Sequence, residues 1–137
     1  MEFYFKIVYG FRADEYVECN QKELPKAYAI FLEGKGRAII NGTAIRGEDI
    51  KRIEEDWIKE MGWNKGYQMT PEDHDEIVPL RDKYREIKET AKQIAVYALK
   101  NNQRELLNNP KEALPFLSSN LLSGEVAEKM KSIGALK

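Results

Sequence analysis

The residues best equipped for chemistry crowd into one segment, Trp57 to Tyr67. It holds both tryptophans of the chain, Tyr67, Asn64 and Lys65, with Gly62 and Gly66 able to turn the backbone sharply. Aromatic faces of this kind stack a flat base, and an amide or ammonium beside them donates hydrogen bonds to the base edge. Arg12, Arg37 and Arg46 fall at strand ends or turns, where a rigid backbone can converge guanidinium groups on an anion. Backbone amides around Gly10 and Gly47 would extend such a site as a small nest. Each feature also has a plainer structural reading: the indoles seal a small core, and the arginines pair on the surface with Glu15, Glu18 and Glu48 at little energetic gain. Lys35, in Gly34-Lys35-Gly36, lacks the spacing and strand-to-helix setting of a phosphate-binding loop.

Catalytic groups are scarce. His74, the single histidine, stands between Asp73 and Asp75 on a very polar stretch, and Cys19, the single cysteine, ends a strand with no second histidine to activate it. One cysteine excludes a disulfide within the chain, and one histidine beside it leaves too few ligands for a usual zinc site. With no nucleophile, base or metal cluster in view, a binding role outranks an enzymatic one and no cofactor is implied. Lysine and arginine number 22 against 23 acids in 137 residues, so net charge does not draw the chain toward nucleic acid or a membrane. The start, Met1 to Lys6, lacks the pattern of a signal peptide, and no apolar run is long enough to span a bilayer; the expected location is the cytoplasm.

The elements that would position these groups read as α+β. Phe3, Phe5, Ile7 and Tyr9 alternate with Tyr4, Lys6 and Val8 as a strand with one buried face, and Tyr16 to Cys19 reads as its return strand. Asn20 with Glu23 resembles a capping box ahead of Leu24, Ala27, Tyr28, Phe31 and Leu32, which follow at helical spacing until Gly34; Pro25 blurs the start. Asn41-Gly42 between Arg37–Ile40 and Thr43–Arg46 is a strong hairpin signal, because both turn positions need positive φ. The segment 49–53 continues as strand or bulged strand, with Gly47 permitting a bend. The first half thus reads ββαββ, a small antiparallel sheet with one packed helix, over residues 1–69. Thr70-Pro71 caps a short helix that Pro79 ends or restarts.

From Leu80 the apolar residues Leu80, Tyr84, Ile87, Ala91, Ile94 and Ala98 recur in a four-three rhythm, the seam of a helix built to pack on another helix. A helix from Leu80 to about Asn108 is roughly 40 Å long, more than a small domain is wide. Part of its seam is therefore expected to find cover on a second copy, making residues 70–109 an oligomerisation segment and the protein a homo-oligomer. This helix carries seven basic residues against four acidic ones. Asn108-Asn109-Pro110 closes it, and residues 110–137 read as a short helical tail.

Four stretches, Lys6-Ile7-Val8-Tyr9-Gly10-Phe11, the run Glu23 to Leu32, Ala44-Ile45-Arg46-Gly47 and above all Met61-Gly62-Trp63-Asn64-Lys65-Gly66-Tyr67, resemble a family of small bacteriophage and prophage proteins. The architecture looks like that of the anti-Thoeris sponges. The resemblance implies a non-enzymatic protein that binds and sequesters a nucleotide immune signal, a cyclic ADP-ribose isomer or a cyclic oligonucleotide, in pockets formed between protomers. Such a ligand needs an aromatic platform, cations for its diphosphate and polar partners for its riboses. Under that resemblance the roles fall on Trp63, Tyr67 or Tyr84 for stacking, Arg12 and Arg46 for phosphate, and Asn64 for a base or sugar contact. Two other functions fit the same residues: association with single-stranded nucleic acid, against which the near-zero net charge speaks, and inhibition of a host defence protein by direct binding.

Overall fold

The computed structural model of the chain describes residues 3–10, 12, 15–100, 102 and 104–107. Strand β1 (Tyr4–Val8) lies between β2 (Tyr16–Asn20) and β5 (Arg52–Glu55), antiparallel to both. A separate ribbon pairs β3 (Arg37–Ile40) with β4 (Thr43–Arg46). Helix α1 (Leu24–Glu33) joins β2 to the ribbon, and α2 (Trp57–Met61) and α3 (Pro71–Lys100) follow β5. The fold is α+β. Among the described residues, no helix is long and apolar enough to cross a membrane.

Period-two alternation divides the three-stranded sheet into two chemically different faces. Phe5 and Ile7 of β1, Val17 and Cys19 of β2 and Ile53 of β5 are buried, whereas Tyr4, Lys6, Glu18 and Glu54 take the opposite parity and remain partly open. Cys19 is enclosed with these side chains, and burial pushes its thiol up to about 12, which makes it a packing residue rather than a nucleophile. Leu24, Ala27 and Tyr28 of α1 join the same core, each large apolar side chain contributing about 1.5–3 kcal/mol.

Two local expectations are corrected here. The first half is ββαβββ rather than ββαββ: the chain makes a 3-10 turn at Gly47–Asp49, leaves the ribbon, and delivers a fifth strand to the free edge of β1. Gly47 is required by close approach, since a Cβ there would lie 2.2 Å from the Ile30 carbonyl oxygen and 2.6 Å from that of Lys35. Glu23 does not close a capping box; its carboxylate accepts from the Asn41 N–H at 2.7 Å, while the Asn20 side chain accepts from Lys22 N–H. Pro25 at the start of α1 already removes one donor that such a cap would serve.

The seam of the long helix is the largest correction. Tyr84, Ile94 and Ala98 are 0% exposed and Ile87 and Ala91 are 2% and 1% exposed, all within the core of their own chain. A four-three rhythm requires a partner surface but does not say whose, and α1 together with the inner face of the sheet supplies it. The seam therefore needs no second copy to cover it. Helix α3 also begins earlier than Leu80, running unbroken through Pro79, which is exposed so that solvent can satisfy the carbonyl left without a donor. It ends at Lys100, ahead of a 3-10 turn at Arg104–Leu107. The predicted closure at Asn108–Pro110 and the tail 110–137 lie outside the described residues.

Candidate nucleotide-binding cleft

A cleft of about 250 Å³ opens on the polar face of the three-stranded sheet, under α2 and the loop that follows it. Strand parity supplies Lys6, Tyr16 and Glu18; α2 with its cap supplies Asp56, Ile58 and Lys59; the loop supplies Trp63 and Lys65. Lys6 and Glu18 stand opposite each other across β1 and β2. The Lys6 ammonium lies 5.3 Å from the Tyr16 ring centre and 3.7 Å from Glu54. The Lys59 ammonium sits 2.8 Å from Glu18 and 5.2 Å from the centre of the Tyr4 ring.

Asp56 anchors this arrangement. Its N–H donates to the Tyr4 carbonyl at 2.9 Å, tying α2 to the start of β1, and its carboxylate accepts the Lys59 N–H at 3.2 Å as the helix cap. The residue is only 3% exposed, and burial raises its pKa above the usual carboxylate range. The Lys59 N–H bond and the charge of Lys6 oppose that rise, while Glu18 reinforces it. Lys59 is pushed up in turn, chiefly by its hydrogen bond to Glu18. Three lysines line the cleft with Glu18 and Asp56, Lys6 is also paired with Glu54 just outside it, and Lys65 has no counter-ion among the described residues.

The Gly-Trp-Asn-Lys-Gly-Tyr motif builds the open side of the cleft. Gly62 takes φ +70 and stops α2, after which the Trp63 N–H donates back to the Ile58 carbonyl at 2.9 Å. This stop carries the residue after the glycine back over the last helical turn, which is how Trp63 comes to lie beside Ile58. Asn64 to Tyr67 then form a turn, closed by the Tyr67 N–H on the Asn64 carbonyl at 3.0 Å, with Gly66 at φ +85 in the position that demands it. The turn returns the Tyr67 ring to 4.8 Å from Trp63, tilted by 32°. Tyr67 donates its hydroxyl to Asp73 at 2.6 Å, and Asp73 closes a reciprocal cap with Thr70 at the start of α3. Backbone and hydroxyl donors from Thr70 and Tyr67 hold the Asp73 carboxyl below its ordinary value. The aromatic loop is thereby fastened to the long helix.

Of the six residues expected in a site, Trp63 lines the cleft, and Asn64 and Tyr67 belong to the loop that presents it. Tyr84 does not take part. Its ring is enclosed by Phe3, Phe5 and Trp57 at centroid distances of 5.1, 5.2 and 4.6 Å, and its hydroxyl accepts from Tyr4 N–H and donates to Glu60. A ring packed on three sides has no face left to stack on a ligand. The two tryptophans thus divide, Trp57 closing the core and Trp63 facing the cleft. Arg12 pairs with Glu15 at 3.5 Å in the β1–β2 connection and lines none of these walls. Arg46 pairs with Glu48 at 2.7 Å and stands opposite Arg37 across the β3–β4 ribbon, away from the cleft lining. Lys6, Tyr16, Glu18, Asp56 and Lys59 were missed, although alternation in β1 and β2 placed the first three on the face opposite the core. Asp56 ahead of Trp57 was also legible as a helix cap.

Among the described residues, no cluster of three or more His, Cys, Asp and Glu side chains is arranged to hold a metal ion. No protein-family model, curated protein sequence or solved structure matches the chain.

Proposed function

We propose that the protein binds a small phosphorylated nucleotide and holds it intact, acting as a sequestering partner for a signal of the cyclic ADP-ribose type in phage counter-defence. The observation that carries this reading is the sharing of one cleft wall by the Trp63 ring and the ammonium groups of Lys6, Lys59 and Lys65. An indole face suits a base, the lysines suit a diphosphate, and Glu18 and Asp56 accept hydrogen bonds from ribose hydroxyls. Cleft size sets how much of such a ligand is enclosed. At 250 Å³ it falls just under the ~300–1,000 Å³ of ordinary small-molecule sites, so it encloses one base with its sugar and leaves the rest of a dinucleotide over the lysines at the rim.

Titration of the full chain with cyclic ADP-ribose isomers, ADP-ribose and AMP, followed by tryptophan emission and by thermal unfolding, tests the proposal. Emission should change through Trp63, because Trp57 is packed against Tyr84. Ligand at 100 times its Kd should add about 2.7 kcal/mol to stability, and mass spectrometry of the released compound should return it unaltered. Trp63→Ala should abolish the emission change and weaken binding. Absence of any thermal shift across the panel would refute the reading.

A further inference from the structure

The ribbon β3–β4 presents a second surface that the nucleotide reading does not use. The Gly47 N–H donates to the Gly36 carbonyl at 2.9 Å, and the register pairs Arg37 with Arg46, Ala38 with Ile45, Ile39 with Ala44 and Ile40 with Thr43. Hydrogen-bonded pairs alternate along an antiparallel ladder, so Gly36/Gly47, Ala38/Ile45 and Ile40/Thr43 exchange bonds, and the backbone groups of Arg37 and Ile39 point away from β4. Among the described residues, the backbone N–H and C=O groups of Arg37 and Ile39 make no bond to another backbone group, and β3 pairs with no strand besides β4. An open strand edge is thus left beside a groove of about 380 Å³ that runs between α1, β3 and the turn at Arg104–Leu107.

We infer that this groove docks an extended acidic segment of a partner protein, which adds to β3 as a further strand. Alternating donors and acceptors on the free edge are matched by a peptide backbone. Ala29, Ile30 and Leu107 give the groove an apolar floor for every second side chain of the added strand, and Ile39 offers a further apolar contact at 64% exposure. Lys26, Arg37 and Arg104 ring it with positive charge. Glu33, bonded to Arg104, is the one carboxylate paired with these three among the described residues, so three positive charges less one leave two for the partner's acids to meet. A second copy is a poor occupant, because it would bring the same cations against themselves. The chain's own residues 108–137 carry four lysines against three glutamates and lack the complementary charge.

The test uses the full-length chain and fluorescein-labelled acetyl-(Glu-Val)4 amide, read by fluorescence anisotropy. Saturable binding is expected, weakening as salt rises, with (Lys-Val)4 at least tenfold weaker. Arg37→Glu, at an exposed position, should weaken the acidic peptide about tenfold or more while circular dichroism shows the fold retained. Methylating the amide nitrogens of the peptide probes strand addition without touching the protein. Methyl groups on the glutamate nitrogens and on the valine nitrogens should have unequal effects, because only one set faces β3. Equal affinity of both methylated peptides with the parent overturns the inference, as does equal affinity for (Lys-Val)4. Preference for an oligothymidylate over the acidic peptide, or a dimer in light scattering that excludes the peptide, overturns it too. Mutation of Trp63 should leave peptide binding unchanged, which separates this result from the fate of the nucleotide reading.

Discussion

Tyr84→Phe separates a structural tyrosine from a ligand platform. The substitution keeps the ring and its contacts with Phe3, Phe5 and Trp57, and removes one oxygen that accepts the Tyr4 N–H at 3.1 Å and donates to Glu60 at 2.9 Å. Glu60 is only half-buried, so water compensates much of its loss, whereas the Tyr4 N–H at the start of β1 loses an oxygen 80 residues away in sequence that ties the sheet to α3. One partly compensated bond to a carboxylate and one orphaned amide amount to about 1–2 kcal/mol. For a urea m-value near 2 kcal/mol per molar, the unfolding midpoint should fall by about 0.5–1 M. Tyr84→Ala removes the whole ring and should cost about 3–5 kcal/mol, a large part of a typical domain's stability. Equilibrium urea unfolding followed by circular dichroism measures both, and nucleotide titration of the folded Phe variant completes the experiment. An unchanged midpoint, or a Phe variant of normal stability with lost nucleotide affinity, would refute the assignment of Tyr84 to the core.

Gly47→Ala should unfold the chain at lower temperature, because the new methyl meets backbone oxygens at 2.2 and 2.6 Å rather than a yielding side chain. A cost of about 1–3 kcal/mol corresponds to a fall in Tm of several degrees by calorimetry, and a wild-type Tm would contradict the close approach. Asp56 gives the cleft a pH dependence. Its pKa is raised in the folded state, so the stability it contributes is present below the unfolded carboxylate value of about 4 and is lost as pH rises through the higher native value. Protonation of Asp56 removes one negative charge from the cleft, so ADP-ribose, whose diphosphate stays ionised above the usual carboxylate range, should bind more tightly as pH falls through the raised Asp56 value. Asp56→Asn should flatten that profile, and coincident profiles for the two proteins would rule Asp56 out as its source. Lys65→Glu should weaken the same ligand without lowering Tm, since Lys65 has no counter-ion among the described residues; an unaltered titration would take Lys65 out of the site.

Turns and the start of the long helix were legible because local chemistry decides them. Asn41 and Gly42 adopt φ of +49 and +79, as the hairpin signal required, and Thr70 with Pro71 starts α3. The aromatic loop was legible in part: Gly62 and Gly66 announced two turns, and those turns carry Trp63 to the cleft. Lys6 and Lys59 were not, because they are 53 positions apart in the chain and acquire a common role only when α2 folds onto the polar face of β1 and β2. Arg37 and Arg46 stand opposite each other on the ribbon, away from the tryptophan, while Arg12 pairs with Glu15 and Arg46 with Glu48.

By itself the chain's residue order determined periodicities, turns and the Thr70 cap, since those depend on φ preferences and on neighbours within four or five positions, whereas Glu23 was drawn from its expected cap to the Asn41 N–H by tertiary structure. Which surface covers each apolar face was decided only in three dimensions. The seam from Leu80 to Ala98 is equally satisfied by a sister helix or by its own α1 and sheet, and closing it within one chain needs no second molecule to be recruited from solution. The same choice buried Tyr84, left Trp63 at an open cleft and turned an expected oligomerisation rod into the spine of one folded unit.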